Sequence, residues 1–97
     1  MKPREYVIME IARERERQIS AEGWTPEHDD EHTDGHMALA AACYALQSTH
    51  VGATRLWPWD RAWWKPKDER RNLVKAAALI VAEIERLDRA AARSTAA

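Results

Sequence analysis

The chain has 97 residues, of which 45% are hydrophobic and 32% charged, and its formal net charge is −1. This length predicts one domain over 1–97 with a thin core, because so short a chain buries only about 60% of its unfolded surface. The near-neutral charge excludes a basic field for nucleic acid or an anionic membrane, so we expect neither partner. The single cysteine, Cys43, excludes an internal disulfide and a cysteine-built zinc site.

The first predicted element is a helix over about 4–21. Its apolar residues form one narrow stripe at helical spacing, made of Val7, Ile8, Ile11, Ala12 and Ile19. The residues at 13–17 alternate in charge sign, which is typical of a solvated face with local ion pairs. Gly23 is predicted to end this helix as a left-handed cap.

A polar loop follows Trp24 and carries His28, His32 and His36 at intervals of four residues among several acids. On a continuous helix the three imidazoles would share one face, as metal ligands often do. A glycine and a threonine within the loop argue against an unbroken helix, and the histidines would then be caps or surface residues. We therefore expect no cofactor, but a divalent metal held by His28, His32 and Asp29 stays open.

The second principal helix is predicted at about 36–47. It is rich in alanine and apolar nearly all round, which predicts that it is the buried central element. Cys43 lies within it and is expected to be a small core residue. A loop is predicted at 48–54.

The third principal helix is predicted at about 68–92, capped by Asp68, with a frayed tail at about 93–97. Its expected core stripe consists of Leu73, Ala76, Ala77, Ile80, Ile84 and Leu87. No alternating strand pattern of useful length occurs. The predicted fold class is therefore mainly α, with three principal helices, a polar loop and an irregular segment rich in tryptophan.

The irregular segment contains four of the five tryptophans, namely Trp57, Trp59, Trp63 and Trp64, and we call it the tryptophan segment. In one interpretation these rings seal the core. In the other they form a cleft that stacks a flat ring, with phosphate held by neighbouring cations, since residues 55–75 carry seven positive and three negative charges. The acidic loop, with six acids and no lysine or arginine over 22–36, could instead dock on this segment.

Acids on the last helix offer a second way to hold a metal. All-α nucleotide pyrophosphohydrolases of the MazG type hold magnesium with acids on two neighbouring helices, and Glu83, Glu85 and Asp88 could supply one set. The helix at 36–47 contains no acid, so the other ligands would have to come from 27–30. The same three acids also fit the outer face of an amphipathic helix.

Two pieces of the sequence carry a family resemblance. The first is an arginine-rich helix over 13–22 that ends in Glu-Gly-Trp at 22–24 and is followed by polar residues. The second is Trp-Pro-Trp-Asp at 57–60, which precedes an acidic-basic run at 67–71. Together they resemble the RyR (ryanodine receptor repeat) domain, over about half of the chain. The family's Tyr-Gly after the tryptophan is replaced by Thr-Pro, and the helix at 37–47 has no clear counterpart. The chain also resembles small proteins encoded by phages and prophages.

The resemblance implies a helical module that binds nucleotides or nucleotide-derived signals. On that model Trp24 and Trp59 would flank a ring, and Arg17 and Arg61 would lie near phosphate. A phage protein of this kind could sequester a host signalling nucleotide.

The predicted function is accordingly a non-catalytic binding module for a small anionic aromatic ligand such as a nucleotide. The expected binding residues are Trp24, Trp57, Trp59, Trp63, Trp64, Arg17 and Arg61. Two alternatives stay open: a metal-dependent nucleotide hydrolase that uses the His/Asp loop, and a structural protein that forms homo-oligomers through its tryptophan segment. With no apolar signal region at its start, the chain is expected to be cytoplasmic, in the host cytoplasm if phage-encoded.

Overall fold

The computed structural model describes residues 1–47 and 52–96, and these residues are mainly α-helical without any strand. The helices are α1 (Arg4–Glu22), α2 (Pro26–Asp29), α3 (His36–Leu46) and α4 (Glu69–Ala96), and two short 3₁₀ helices lie at Ala53–Leu56 and Arg61–Trp63. The predicted fold class and its three principal helices are confirmed. None of the helices described is long and apolar enough to cross a lipid bilayer. The loop predicted at 48–54 falls partly on residues 48–51, outside the described residues.

Three of the predicted helix boundaries have the expected cap chemistry. Gly23 adopts a left-handed conformation with φ of 75°, and its N–H donates to the Gln18 carbonyl to end α1. Thr25 Oγ1 accepts from the backbone N–H of His28 at 3.2 Å and starts α2. Asp68 Oδ2 accepts from the backbone N–H of Arg71 at 3.1 Å and caps α4. These caps fix where the intervening segments leave the helices.

The core lies mainly between α3 and α4. Ala40 and Cys43 of α3 have no exposed surface, and Ala78, Leu79 and Ala82 of α4 are at most 1% exposed. Small side chains on both helices allow the two backbones to approach closely, and close packing gains dispersion energy along the whole contact. The helix predicted at 36–47 is therefore buried along one face, but the prediction that it is the central element is wrong, because α4 is the helix that contacts α1, α2 and α3.

The predicted core stripe of α4 is largely wrong. Leu73, Ile80, Ile84 and Leu87 are between 48% and 53% exposed, whereas Ala76 is buried as expected. The buried side of α4 is instead the side that carries its alanines and Leu79, because α3 packs there. Periodicity identifies an apolar face of a helix but does not say which face the neighbouring helix covers.

The interior face of α1 is polar, which also differs from the prediction. Glu14, Arg15 and Gln18 are at most 5% exposed, while Ile8 of the predicted apolar stripe is 58% exposed. The charged residues are tolerated inside because each has a partner of opposite charge, as buried charges require. Glu14 pairs with Arg17 and Arg71, and Arg15 pairs with Asp29.

The last helix continues to Ala96, four residues beyond the predicted end at 92, so the residues expected to form a frayed tail are helical up to that point. Two interactions explain the difference. Arg93 Nη2 donates to Asp30 Oδ2 at 2.6 Å, and the Thr95 hydroxyl donates to the Ala91 carbonyl one turn earlier. Three alanines at 90–92, the residue type with the highest helix propensity, lead into this stretch.

Candidate functional site

An open pocket with an aromatic wall lies where the end of α1, α2 and the tryptophan segment meet. Its volume is about 360 Å³ and it is lined by Glu22, Gly23, Trp24, His28, His32, Trp59, Asp60 and Trp63. We call it the aromatic pocket. The left-handed turn at Gly23 directs Trp24 into the core, where it is 8% exposed. Asp60 Oδ1 accepts from the backbone N–H of Ala62 at 2.8 Å, which holds the 3₁₀ turn that carries Trp63.

The rings of this pocket pack edge to face and at tilted angles. The Trp24 and Trp59 ring centroids are 5.4 Å apart, Trp24 and Trp63 are 6.2 Å apart, and His32 lies 5.3 Å from Trp59. Such arrangements are favoured by the aromatic quadrupole. Trp63 is 41% exposed and Trp59 is half-buried, so part of the indole surface faces the pocket opening.

The other two tryptophans of the segment cover the core instead. Trp57 and Trp64 lie 5.5 and 4.8 Å from the Tyr44 ring, and Trp57 Nε1 donates to the Asp60 carbonyl at 3.1 Å. Neither residue lines the aromatic pocket. Trp57, Trp64 and also Trp59 therefore pack against the core, as the first interpretation predicts, while Trp59 and Trp63 border the aromatic pocket. The stacking of a ligand ring there stays a prediction.

A second pocket of about 360 Å³ lies beside the first and is strongly basic. Its lining consists of Arg17, Glu22, Lys65, Lys67, Arg71 and Lys75, and we call it the basic pocket. Glu22 lines both pockets. Lys65 Nζ lies 3.1 Å from each carboxylate oxygen of Glu22 and 5.6 Å from the Trp63 ring centroid. The two pockets thus adjoin along Glu22, Lys65 and Trp63.

The cations of the basic pocket differ in how far they are already neutralised. Glu14 lies behind the pocket and pairs with Arg17 and Arg71; although burial opposes its ionisation, these two guanidinium groups hold the pKa of Glu14 below its usual range. Lys75 Nζ donates to the Lys65 carbonyl at 2.7 Å, and burial lowers the pKa of Lys75. Within the described residues Lys67 forms no ion pair.

His28 and His32 lie close together, and Asp29 Oδ1 is 3.9 Å from His28 Nδ1, although Asp29 is also paired with Arg15. The rings of His28 and His32 are 4.8 Å apart, and burial together with the neighbouring His28 lowers the pKa of His32. Asp29 is buried in an ion pair with Arg15, and His36 lies at the start of α3. Among the described residues no group of three or more histidine, cysteine or acidic side chains is placed to hold a metal. The metal site stays a prediction.

Two polar atoms in the pocket wall are buried without a hydrogen-bond partner in the described part of the chain. They are Nδ1 of His28 and Nε1 of Trp59. Such groups cost free energy while unsatisfied.

The acidic loop contacts the tryptophan segment, as one alternative proposed, but largely through rings. Trp24 and His32 lie 5.4 and 5.3 Å from Trp59, and Glu22–Lys65 is the one ion pair between the two among the described residues. The other buried acids of the loop face the opposite way. Asp30 accepts from Arg89 at 2.8 and 3.1 Å and from Arg93, and thereby ties α2 to the end of α4. This arrangement leaves the tryptophan segment open on the side of the two pockets.

The sequence-predicted binding residues are only partly brought together. Trp24, Trp59 and Trp63 line the aromatic pocket and Arg17 lines the basic pocket, whereas Arg61 is exposed and lines neither. Sequence reasoning did not select Glu22 or Asp60 as pocket residues. The available signals were the position of Glu22 directly before Gly-Trp and the cap position of Asp60 before its 3₁₀ turn.

Acid should weaken the ion pairs of Asp30 and Glu14, whereas burial raises the pKa of Asp29, the loop acid that pairs with Arg15. Hydrogen bonds from Arg89 and Arg93 hold the pKa of Asp30 below its usual range, and the same direction applies to Glu14. Because their folded pKa values lie below the unfolded ones, their stabilisation is present above about pH 4 and is lost as the pH falls through the lowered values. We expect the free energy of unfolding, measured in urea, to fall most steeply below about pH 4, and less steeply in Asp30→Asn. Equal stability at pH 3 and pH 7 would contradict this.

Compared with protein-family models, curated proteins and solved structures, the chain shows no significant match.

Proposed function

We propose that this chain is a non-catalytic binding module for a nucleotide-like ligand whose ring occupies the aromatic pocket and whose phosphates occupy the basic pocket. One observation carries the proposal: a pocket walled by indoles and a pocket lined by five cations adjoin along Glu22. A ligand with a flat ring joined to an anionic group matches both the aromatic pocket and the basic pocket. The proposal includes the resemblance to RyR domains. It also includes the idea that a phage protein of this kind sequesters a nucleotide signal.

The aromatic pocket suits the ring of such a ligand. Its volume of about 360 Å³ is within the range of small-molecule sites. Stacking of a base on an aromatic side chain is worth about 1–3 kcal/mol. The carboxylates of Glu22 and Asp60 are acceptors at the rim, where the exocyclic amino group of a base is a donor.

The basic pocket suits the phosphates because its cations outnumber the acids around it. Lys67 has no ion pair among the described residues, and Lys65 and Arg17 are paired with Glu22 at distances of 3.1 and 3.5 Å. Both cations are about half exposed, whereas the Glu22 side chain is only 9% exposed, so a phosphate would share these cations with Glu22 rather than replace it. Binding should therefore weaken as salt is added.

A second candidate is an organic cation held in the aromatic pocket alone. Two carboxylates line this pocket, whereas no lysine or arginine does. Indole faces attract cations such as quaternary ammonium groups, and nearby carboxylates strengthen that attraction. The acidic rim favours this ligand, while the adjoining basic pocket favours the nucleotide.

Titration with four probes separates these proposals. We expect ATP to raise the melting temperature and to change tryptophan fluorescence, with adenosine and tripolyphosphate each giving a smaller effect and tetramethylammonium none. At ten times the dissociation constant, the ligand adds about 1.4 kcal/mol, which corresponds to a shift of several degrees for a chain of this size. An effect of tetramethylammonium alone would favour the organic cation. No effect of any probe at about 10 mM would exclude both.

One substitution in each pocket tests whether ATP binds there. Trp63→Ala removes an exposed ring of the aromatic pocket, and Lys67→Ala removes a cation that no described residue pairs with. We expect each to weaken ATP binding about tenfold, as loss of one stacked ring or one phosphate contact does. Arg61→Ala is the matched control, since Arg61 is an exposed cation of the same segment outside both pockets.

The metal-dependent hydrolase stays a separate proposal. Metal analysis of protein purified without chelator, followed by a nucleotide hydrolysis assay, tests it directly. Bound metal in the wild type that is lost in His28→Ala and His32→Ala would support the hydrolase, and full activity in these variants would exclude it.

A further inference from the structure

Glu22 lies at the boundary between the aromatic pocket and the basic pocket. Of the residues that the structure describes, only Glu22 lines both pockets. It is the last residue of α1, and its side chain is 9% exposed. A ligand whose ring lies in the first pocket and whose phosphates lie in the second must therefore pass over Glu22. In a nucleotide, the part that joins the ring to the phosphates is the sugar.

The distances around Glu22 match the length of one sugar. Lys65 Nζ lies 5.6 Å from the Trp63 ring centroid and 3.1 Å from each carboxylate oxygen of Glu22. A base stacked on Trp63 and a phosphate bound by Lys65 would be separated by about one pentose unit. The Glu22 carboxylate would lie beside that pentose.

The Glu22 carboxylate can accept a further hydrogen bond. The two oxygens of an ionised carboxylate offer about four lone-pair positions. Oε1 accepts from Arg17 at 3.5 Å and from Lys65 at 3.1 Å, and Oε2 accepts from Lys65 at 3.1 Å. Oε2 therefore has a lone pair that no described residue uses. Hydrogen bonds to a charged acceptor are stronger than those between neutral groups, so a donor at this position would be held well.

We propose that Glu22 accepts a hydrogen bond from the 2′-hydroxyl of the ligand's sugar, so that the ligand is a ribonucleotide rather than a deoxyribonucleotide. This inference rests on the proposed function, because it takes the ring and the phosphates to occupy the two pockets. Acidic residues bind ribose hydroxyls in the same way in dinucleotide-binding folds. A carboxylate also repels a phosphate attached to the sugar, so ligands phosphorylated at the 2′ position are disfavoured.

Calorimetric titration of the wild type with ATP and with 2′-deoxyATP tests the inference. We expect 2′-deoxyATP to bind about tenfold more weakly, because it leaves the charged acceptor without the donor that ATP supplies. Equal affinities would overturn the inference and leave the proposed function standing. No binding of ATP at about 10 mM would overturn both.

Glu22→Ala should change the binding of the probes in opposite directions. The tenfold preference for ATP over 2′-deoxyATP should fall to less than about twofold. Inorganic tripolyphosphate should bind about threefold more tightly than to the wild type, since Arg17 and Lys65 lose the acid that pairs with them. Weaker binding of all three probes with an unchanged preference would show that Glu22 is only structural, and would overturn the inference.

Two further variants complete the test. Glu16→Ala is the matched control, because Glu16 is an exposed acid of the same helix outside both pockets, and the preference should not change. Glu22→Gln keeps the shape of the side chain without its charge, so it should reduce the preference in the same direction even if Glu22→Ala does not fold. Far-ultraviolet circular dichroism establishes which variants are folded. A full tenfold preference in folded Glu22→Gln and Glu22→Ala would contradict the role of Glu22.

Discussion

Arg15→Met is expected to lower the free energy of unfolding by about 3 kcal/mol, because it leaves the buried Asp29 carboxylate without its partner. Arg15 and Asp29 are 5% and 2% exposed and form an ion pair between α1 and α2. Arg15 Nη1 also donates to the Trp24 carbonyl at 3.0 Å. The substitution therefore loosens the α2 segment and the wall of the aromatic pocket together. Urea denaturation followed by tryptophan fluorescence measures the change.

A double-mutant cycle separates the ion pair from the packing of the side chain. Arg15→Met combined with Asp29→Asn removes both charges, so the double variant should be more stable than the sum of the single effects predicts. Arg13→Met is the control, since Arg13 is exposed on the same helix and should change stability by less than about 0.5 kcal/mol. Strictly additive effects of the two single substitutions would show that the pair does not contribute.

Leu79→Ala is expected to destabilise the chain by about 3 kcal/mol, because it removes a fully buried side chain and leaves a cavity between α3 and α4. Leu79 is 1% exposed and belongs to the same packed cluster as Ala40, Ala41 and Tyr44. Thermal or urea unfolding at low protein concentration gives the value. Leu56→Ala, which truncates a leucine that is 51% exposed, is the control and should have little effect.

Ile84→Ala tests whether Ile84 is a core residue, as the sequence pattern predicts, or an exposed one, as the structure has it. The periodicity places Ile84 in the core stripe, but the structure leaves it 53% exposed. The substitution should therefore cost less than about 1 kcal/mol in urea denaturation. A loss of stability equal to that of Leu79→Ala would show that Ile84 is a core residue.

The helices could be predicted from the sequence because their signals are local. Helical spacing, the glycine after α1, and Asp68 before α4 each depend on a few neighbouring residues. Which faces of the helices pack against each other depends on contacts between residues far apart in the sequence. The alanines of α3 and α4 form the main contact together with Leu79, because small side chains allow close approach, whereas Leu73, Ile80, Ile84 and Leu87 lie outside that contact. A hydrophobicity pattern gives those larger residues more weight and therefore selects the wrong face.

Only some of the residues that line the two pockets could be selected from the sequence. The tryptophans and the surrounding cations suggested a ring next to phosphate, and Trp24, Trp59, Trp63 and Arg17 do line the two pockets. The roles of Glu22 and of Lys65 depend on a contact between residues 43 positions apart, which no spacing within the sequence reveals. Arg61 lies only one residue from a pocket acid, yet it faces away from both pockets because the 3₁₀ turn begins there.

The central proposal is tested most directly by the indole N–H signals in a ¹H–¹⁵N spectrum recorded during titration with ATP. Each of the five tryptophans contributes one such signal. We expect the signals of Trp59 and Trp63 to shift with the same saturation curve as the backbone amide of Lys67, since one ligand spans both pockets, while the signal of Trp64 moves little. An unchanged spectrum at saturating ATP, or shifts confined to Trp57 and Trp64, would contradict the proposal.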